Sequence, residues 1–397
     1  LVKDDYLVFL ISLVLAFEYL DGILFYHFGF SGLATSYYSI LVLFGLIKLN
    51  FKLQTIIICN IILLIVSIKS LFILDVTLIF EDFKFYARGI LFYIILSRIS
   101  SQNFLFRNFL RFNYFNYLII SFSVLLDYYL DIGGTLVYSG TAEVLWYSGY
   151  FQENNSLSYI YLIVSIFIIL NSKIIVKFII YLFSMFIISL LHSKGSLILL
   201  IFLPFAYIIL FSFKTYLSLI IIPALIAFAT YSIVNINKVV NIFLDVMIFL
   251  IPDIWYIRKW SDKYDIITIA LSTRDLRILE MFERVKDFSI IEILIGNNYG
   301  LILQNGYNIE SDYFDIFQIG GLLLLIPYII YQFFYFKKYM SSNKSIFAEY
   351  YVIFLYTVVI SFMTGHILYN PTTLLFIILY AVYYKSMIRF YEDTTNQ

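Results

Sequence analysis

Residues 155–213 consist of three apolar segments joined by a repeated Ser-Lys dipeptide, and they read NSLSYIYLIVSIFIILN-SK-IIVKFIIYLFSMFIISLLH-SK-GSLILLIFLPFAYIILFSF. An α-helix rises about 1.5 Å per residue, so about 20 mostly apolar residues cross the hydrocarbon core of a bilayer. Each segment is close to that length, and Ser172-Lys173 and Ser193-Lys194 leave room only for tight turns. This stretch therefore predicts three consecutive membrane-spanning helices.

The composition of the whole chain agrees with that prediction. Of the 397 residues, 62% are hydrophobic and 13% are charged, and the mean hydropathy is +0.92. A soluble domain is normally about half apolar and about a quarter charged. These values exclude a soluble globular protein and a disordered chain. A basic nucleic-acid-binding protein is also excluded, because 26 Lys and Arg residues balance 26 Asp and Glu residues.

The same reading, extended to both ends of the chain, predicts an all-α, polytopic membrane protein with about twelve transmembrane helices. Main-chain polar groups must be paired inside lipid, which favours helices in every span. The apolar windows are 6–26, 31–47, 53–74, 83–98, 112–130, 155–171, 174–192, 195–213, 215–233, 312–336, 347–367 and 370–388.

Lysine and arginine residues in short loops orient such a chain, because cytoplasmic loops carry an excess of them. With the N-terminus inside, fourteen of these cations fall in cytoplasmic loops and ends, and four fall in short outer segments, namely Lys69, Lys84, Arg88 and Lys194. The remaining eight lie in one long segment that the rule does not cover. This distribution predicts that both termini are cytoplasmic and that the long segment is outside.

The chain accordingly divides into three parts. Residues 1–233 hold the first nine spans, residues 234–311 form one large extracytoplasmic loop, and residues 312–397 hold the last three spans and a cytoplasmic tail.

Two helical segments are expected inside the large loop. The apolar run 239–252 is too short to cross the membrane and is expected to lie in the interface or re-enter it. Residues 274–288 predict an amphipathic helix, because apolar side chains recur there at helical spacing opposite charged ones.

Charged side chains near the membrane are costly, so each is a candidate for function. Arg88 lies about a turn and a half into the fourth window, and Lys194 lies in a tight outer turn. Arg274, Arg277 and Arg284 lie on or beside the loop helix, and guanidinium groups match phosphate oxygens. Structural interpretations also exist: Arg88 snorkels to the interface, Lys194 is a solvated turn cation, and the arginines form a solvated helix face.

Three carboxylates occur within six residues just before the tenth window, at Glu310, Asp312 and Asp315. A carboxylate in a pocket of low dielectric constant can act as a general base. The alternative is an ordinary helix N-terminus, where Ser311 and Asp312 serve as caps.

Several kinds of site are not predicted. The histidines His27, His192 and His366 are scattered, and Cys59 is the only cysteine, so neither a metal site nor an intrachain disulfide is expected. No Walker loop, Rossmann fingerprint or Gly-x-Ser-x-Gly elbow is present, so no cofactor is expected. Energy for any reaction then comes from an activated substrate or from a gradient.

Four short segments follow one another in a recognisable order. They are Gly149-Tyr150-Phe151-Gln152-Glu153-Asn154-Asn155, Ser193-Lys194-Gly195, the loop helix from Ser272-Thr273-Arg274 to Leu294-Ile295-Gly296, and Glu310-Ser311-Asp312-Tyr313-Phe314-Asp315 followed by Ile319-Gly320-Gly321-Leu322. With about twelve spans and a large outer loop before the last three, they resemble the O-antigen polymerase (Wzy) family of the O-antigen ligase and polymerase superfamily. The resemblance covers roughly residues 83–388.

The chain departs from the family pattern at several positions. The glycine spacing is compressed at Gly320-Gly321, Asn154 replaces a proline, and Glu143 and Trp146 stand where an arginine is often found. Glu310 stands where ligases often carry a histidine, which favours a polymerase over a ligase.

The resemblance implies a GT-C-like glycosyltransferase in the bacterial cytoplasmic membrane. Such an enzyme moves a growing glycan from undecaprenyl diphosphate onto an incoming lipid-linked repeat unit at the outer face, without cofactor or metal. The expected partners are the undecaprenyl-diphosphate-linked oligosaccharide and membrane lipids, with a chain-length regulator as a further candidate and no nucleic acid.

On that basis we expect roles for ten residues. The catalytic group comprises Glu310, with Asp312 as the second candidate base, and Arg274. The expected diphosphate-binding residues are Arg88, Lys194, Arg274 and Arg277, and the expected sugar-binding residues are Glu153, Asn155, Trp146 and Tyr150.

Three other functions compete with this one. A lipid-linked oligosaccharide flippase or other transporter also suits twelve spans, but two related halves are not found. A ligase would join the glycan to a different acceptor. A GT-C lipid-sugar transferase usually carries an acidic motif in its first outer loop, which is nearly absent here.

Overall fold

The computed structural model describes residues 13–47, 64, 67–69, 78–79, 106–130, 147–151, 154–191, 193–212, 274–297, 302, 311–340, 345–363 and 370–395. Every regular element within these ranges is a helix, which confirms the all-α class. The helices are α1 (Val14–Phe28), α2 (Leu33–Ile47), α3 (Phe106–Leu130), α4 (Asn154–Leu170), α5 (Ile174–Leu190), α6 (Lys194–Ser212), α7 (Arg274–Val285), α8 (Ile290–Ile295), α9 (Asp312–Met340), α10 (Ser345–Met363) and α11 (Pro371–Thr395).

Two of these helices can cross a membrane by length and composition. They are the stretches Phe109–Leu130 in α3 and Asp312–Ile330 in α9. Shorter apolar stretches occupy most of α4, α5 and α10 and parts of α6 and α11. The chain is therefore suited to membrane association, whereas the count of twelve spans stays a prediction. Most of window 53–74, and all of windows 83–98 and 215–233 and the run 239–252, lie outside the described residues.

Local chemistry explains where several helices begin and end. α1 ends at Gly29, whose left-handed backbone (φ 66°) lets its N–H bond back to the last turn. Asp21 then closes the connection to α2, because its Oδ1 accepts the amide hydrogens of Gly32 (2.9 Å) and Leu33 (2.6 Å). At the start of α11, Asn370 Oδ1 accepts the amide of Thr372 (2.9 Å) ahead of the first turn.

The core of the described helices is built around α4. Every residue from Tyr159 to Ile168 is buried, which marks a helix surrounded on all sides. α4 contacts α3, α5, α6, α10 and α11. Aromatic rings fill the space between them, as where Phe109 of α3 stacks on Tyr383 of α11 with ring centroids 4.0 Å apart.

The hydrogen bonds between the helices separate into two groups, one at each end of the bundle. At one end, Tyr114 of α3 is hydrogen-bonded to Ser172 between α4 and α5, and Asn171 Nδ2 donates to Glu349 of α10. At the other end, the turn 147–151 meets the ends of α1, α3 and α5 and the start of α4. The candidate functional residues described below lie at this second end, which we call the site end.

α9 is broken at Gly321, where the backbone has φ 58° and ψ −161°. The short helix α8, capped reciprocally by Ser289 and Glu292, ends at Gly296 against this break. A Cβ built on Gly321 would lie 2.4 Å from the Leu294 carbonyl, and one on Gly296 would lie 2.4 Å from the Ile319 carbonyl. The two glycines therefore allow a direct backbone contact between the loop segment and α9.

Replacement of either glycine at this contact is expected to destabilise the fold strongly. Gly296 and Gly321 combine positive φ with extended ψ, a region that other residues reach only at a cost of roughly 1–3 kcal/mol. Overpacking against the facing backbone adds roughly another 1–3 kcal/mol. We expect Gly296→Ala and Gly321→Ala to lower the thermal unfolding midpoint of the purified protein markedly.

The matched control is Gly29→Ala. Gly29 has a similar φ of 66°, but nothing lies within 4 Å of its added Cβ, so only the left-handed strain of about 1 kcal/mol applies. If Gly29→Ala, Gly296→Ala and Gly321→Ala lower the thermal unfolding midpoint equally, the close backbone contact between α8 and α9 is contradicted.

Candidate functional site

The carboxylates at the start of α9 are buried and have different environments. Asp315 Oδ2 accepts the Ser311 amide hydrogen at 3.0 Å, so Asp315 caps the N-terminus of the helix. Asp312 is also fully buried. The sequence interpretation named Ser311 and Asp312 as the caps, whereas in the structure the capping carboxylate is that of Asp315. Asp312 remains a candidate for chemistry.

Asp312 interacts electrostatically with tyrosine residues of two helices. Its charge interacts with the hydroxyls of Tyr159 in α4 and Tyr328 in α9. The Tyr159 hydroxyl is in turn hydrogen-bonded to Thr357 of α10 at 2.6 Å. Asp312 thus lies where α4, α9 and α10 meet, in surroundings of low dielectric constant that strengthen electrostatic interactions.

The break in α9 exposes main-chain carbonyl groups that the helix no longer satisfies. The Gln318 carbonyl accepts the Asn297 amide hydrogen at 2.6 Å. The Ile319 carbonyl accepts a hydrogen bond from Nζ of Lys69, which also donates to the Asn297 carbonyl at 3.0 Å. Lys69 is buried, and its charge faces the negative end of the first half of α9.

The amphipathic loop helix packs near the start of α9. α7 covers residues Arg274–Val285 and α8 continues the segment, as the apolar spacing predicts. Met281 of α7 is buried, and the Phe282 ring lies edge-on to Phe314 with centroids 6.1 Å apart. This packing brings the helix that carries Arg277 to the carboxylate end of α9.

The turn 147–151 is held from three sides. Asp127, buried at the end of α3, accepts the Gly149 amide hydrogen at 2.9 Å, and Tyr147 donates to the Leu190 carbonyl at 3.1 Å. On the third side the turn lies directly against Gly22 of α1, where a Cβ would come within 1.6 Å of the Tyr150 carbonyl oxygen. The position of Tyr150 is therefore closely determined.

Tyr150 presents a neutral hydroxyl at ordinary pH. Partial burial, followed by the neighbouring Tyr26 and Asp127, raises the pKa of Tyr150 above its usual value. The hydroxyl is hydrogen-bonded to Nε2 of His27 across 2.8 Å. A neutral phenol can donate to and accept from a sugar hydroxyl.

Helix N-termini gather at the site end. α4 and α6 start side by side, with Ser158 and Ser196 hydroxyls 3.4 Å apart, and α9 starts beside Tyr159 of α4. α11 starts beside α1, where the Thr372 hydroxyl donates to Glu18 and Tyr38 also bonds Glu18 at 2.9 Å. The positive ends of these dipoles favour an anionic ligand at this end.

The residues expected from the sequence are only partly described. Glu310, Arg88, Glu153 and Trp146 lie outside the described residues. Lys194 and Arg274 are the first residues of α6 and α7, and their side chains also lie outside the description. Asp312, Arg277, Asn155 and Tyr150 are placed, all in elements that reach the site end. Asn155 lies at the start of α4, where its carbonyl accepts from Ser158.

The structure adds residues to the site that sequence reasoning did not select. Lys69 had a signal, because it was one of only four cations in short outer segments. Tyr159 and Asp127 had none, because tyrosines are abundant and a single carboxylate near a window end resembles a cap. In the described part of the chain no cluster of three or more potential metal ligands occurs.

No family model, curated protein or solved structure matches the chain.

Removal of the Lys69 ammonium is expected to loosen the contact between the loop and α9. Lys69→Met leaves the Ile319 and Asn297 carbonyls without this donor and should cost about 1–3 kcal/mol of stability. Lys69→Arg keeps the charge and should recover part of the loss. The thermal unfolding midpoint of the purified protein measures both effects.

Lys173→Met is the control for loss of a lysine, because Lys173 is exposed at the other end of the bundle. If Lys69→Met and Lys173→Met have the same thermal unfolding midpoint, the buried ammonium of Lys69 does not hold the loop segment.

Proposed function

We propose that the chain is a polysaccharide polymerase of the O-antigen type. It transfers a growing glycan from undecaprenyl diphosphate onto a lipid-linked repeat unit at the outer face of the bacterial cytoplasmic membrane. In this proposal the GT-C-like chain has about twelve spans, both termini are cytoplasmic, and residues 234–311 and the site end face outward.

The observation that carries the proposal is the environment of Asp312. A fully buried carboxylate lies beside tyrosine hydroxyls at one end of an apolar bundle, and a helix rich in arginine packs against the same end. A general base and a set of cations within one end of a membrane protein are what transfer from a lipid diphosphate requires.

The transfer follows from these groups. The oxygen of the acceptor hydroxyl forms a bond to the anomeric carbon of the donor glycan, and the bond from that carbon to the diphosphate oxygen breaks. The hydroxyl proton passes to Asp312 or Glu310, and undecaprenyl diphosphate leaves with the bonding electrons. No nucleotide is needed because the donor is already activated.

The leaving diphosphate gains negative charge during the step. Arg274 and Arg277 on the loop helix, with Lys194 and Arg88, would neutralise this charge. The N-termini of α4, α6 and α9 at the same end add dipoles of the required sign. Glu153, Asn155, Trp146 and Tyr150 would bind the sugars.

Activity should depend on Asp312 and Arg277. With purified lipid-linked repeat units in membranes, we expect Asp312→Asn to lower the polymerisation rate roughly 10²–10⁴-fold, because the proton acceptor is lost. Glu310→Gln and Arg274→Ala test the remaining catalytic assignments in the same assay, and Arg277→Ala tests the diphosphate site. Glycan chain-length ladders at equal protein expression give the readout.

Arg284→Ala is the matched control for the arginines, because Arg284 lies on the same helix with its Nε bonded to the Glu280 carbonyl. Unchanged ladders for Asp312→Asn, Glu310→Gln and Arg274→Ala together would refute the site. If the wild-type protein transfers the glycan to a different acceptor and does not lengthen the glycan, its activity is that of a ligase instead.

The orientation can be tested separately by cysteine labelling. Cys59→Ser removes the single cysteine, after which Asp287→Cys in the loop and Ser172→Cys between α4 and α5 can be compared. A membrane-impermeant maleimide should label Cys at position 287 in intact spheroplasts and Cys at position 172 only after lysis. Labelling of both from the same side would contradict the orientation.

A further inference from the structure

The outer end of α1 carries an exposed aromatic surface that meets the turn 147–151. Tyr26 is 58% exposed and His27 is also exposed, although both rings are in contact with Tyr150. We call Tyr26, His27 and Tyr150 the aromatic platform. Neither Tyr26 nor His27 belongs to a segment that the resemblance covers.

The three rings are arranged at defined distances and angles. The Tyr150 centroid lies 6.1 Å from that of Tyr26 and 5.5 Å from that of His27, with interplanar angles of 63° and 56°. Tyr26 and His27 are perpendicular with centroids 5.1 Å apart. The hydrogen bond between His27 and the Tyr150 hydroxyl joins two of the rings at their polar edges.

Both the turn that carries Tyr150 and the helix end that carries Tyr26 and His27 have rigid supports. Gly22 lets the Tyr150 main chain lie directly on α1, and the buried Asp127 holds the Gly149 amide. Asp21, about a turn and a half before Tyr26, accepts two amide hydrogens of the segment between α1 and α2 and so fixes that segment. Side chains locked by a supporting layer are typical of binding sites. Tyrosines that only anchor a helix at a membrane interface need no such support.

The chemistry of the surface indicates its ligand. Tyrosine and histidine combine apolar ring faces with polar edges and lose little conformational entropy on binding. A pyranose ring has the complementary character, with a face of C–H groups and a rim of hydroxyl groups. Tyr26 and His27 are exposed, so a neutral sugar can reach the platform from solvent.

We propose that Tyr26 and His27 of α1 join Tyr150 in a carbohydrate-binding platform that holds a sugar ring of the lipid-linked repeat unit. The choice of this oligosaccharide rests on the proposed polymerase function. Helix α1 then contributes to substrate selection, while Asp312 or Glu310 and the loop helix perform the transfer.

Kinetics of single variants provide the first test. For Tyr26→Ala and His27→Ala, we expect KM for the lipid-linked repeat unit to rise roughly three- to tenfold, with kcat within about twofold of wild type. Phe25→Ala is the matched control, because Phe25 is 52% exposed on the same turn and is not part of the platform. Tyr26→Trp retains a ring and should restore most of the affinity.

A binding measurement separates this inference from the polymerase proposal. The probe is the water-soluble oligosaccharide released by mild acid from lipid-linked repeat units that accumulate in a strain lacking the gene. Saturation-transfer NMR with the purified wild-type protein should detect binding, and Tyr26→Ala should weaken it three- to tenfold.

The outcomes distinguish the two proposals. If the wild type binds the oligosaccharide, Tyr26→Ala loses this binding, and the wild type makes no polymer, the platform is supported and the polymerase function is refuted. Polymer formation with the same KM in Tyr26→Ala, His27→Ala and Phe25→Ala would refute the platform and show a membrane-interface role for these rings. Absence of oligosaccharide binding to the wild type would also refute the platform.

Discussion

The carbonyl groups left open by the break in α9 are the constraint on which the site depends. In an apolar chain every buried main-chain group must find a partner, and an uninterrupted helix supplies its own. At Gly321 the helix is broken and cannot do so. The Gln318 carbonyl accepts a hydrogen bond from the Asn297 amide instead, and the Ile319 carbonyl accepts one from the Lys69 ammonium. Three segments that are remote in sequence are joined by this requirement.

The arrangement of the candidate site follows from that junction. Because α8 is tied to the break through Gly296, the loop helix α7 lies over the start of α9, where Phe282 meets Phe314. The same half-helix brings Asp312 within electrostatic range of Tyr159 in the buried helix α4. The arginine-bearing loop and the buried carboxylate therefore depend on one backbone contact, although they belong to different predicted parts of the chain.

Much of the fold could be predicted because hydrophobic length and periodicity are local properties. The windows 31–47, 155–171, 174–192 and 195–213 agree closely with α2, α4, α5 and α6, and the amphipathic helix begins at Arg274 as its spacing indicates. The site was less predictable. Compressed glycines at Gly320-Gly321 looked like a departure from a motif, whereas in the structure they form the contact with Gly296.

From the sequence alone it follows that the chain is helical and apolar and, for most of the described helices, where they begin and end. Those properties depend on neighbours within a few turns. It takes the tertiary fold to place Lys69 at the broken helix, Tyr159 within electrostatic range of Asp312, and Tyr26 and His27 against Tyr150. Each of these contacts joins residues more than a hundred positions apart, and helical periodicity carries no information about which faces will meet at that distance.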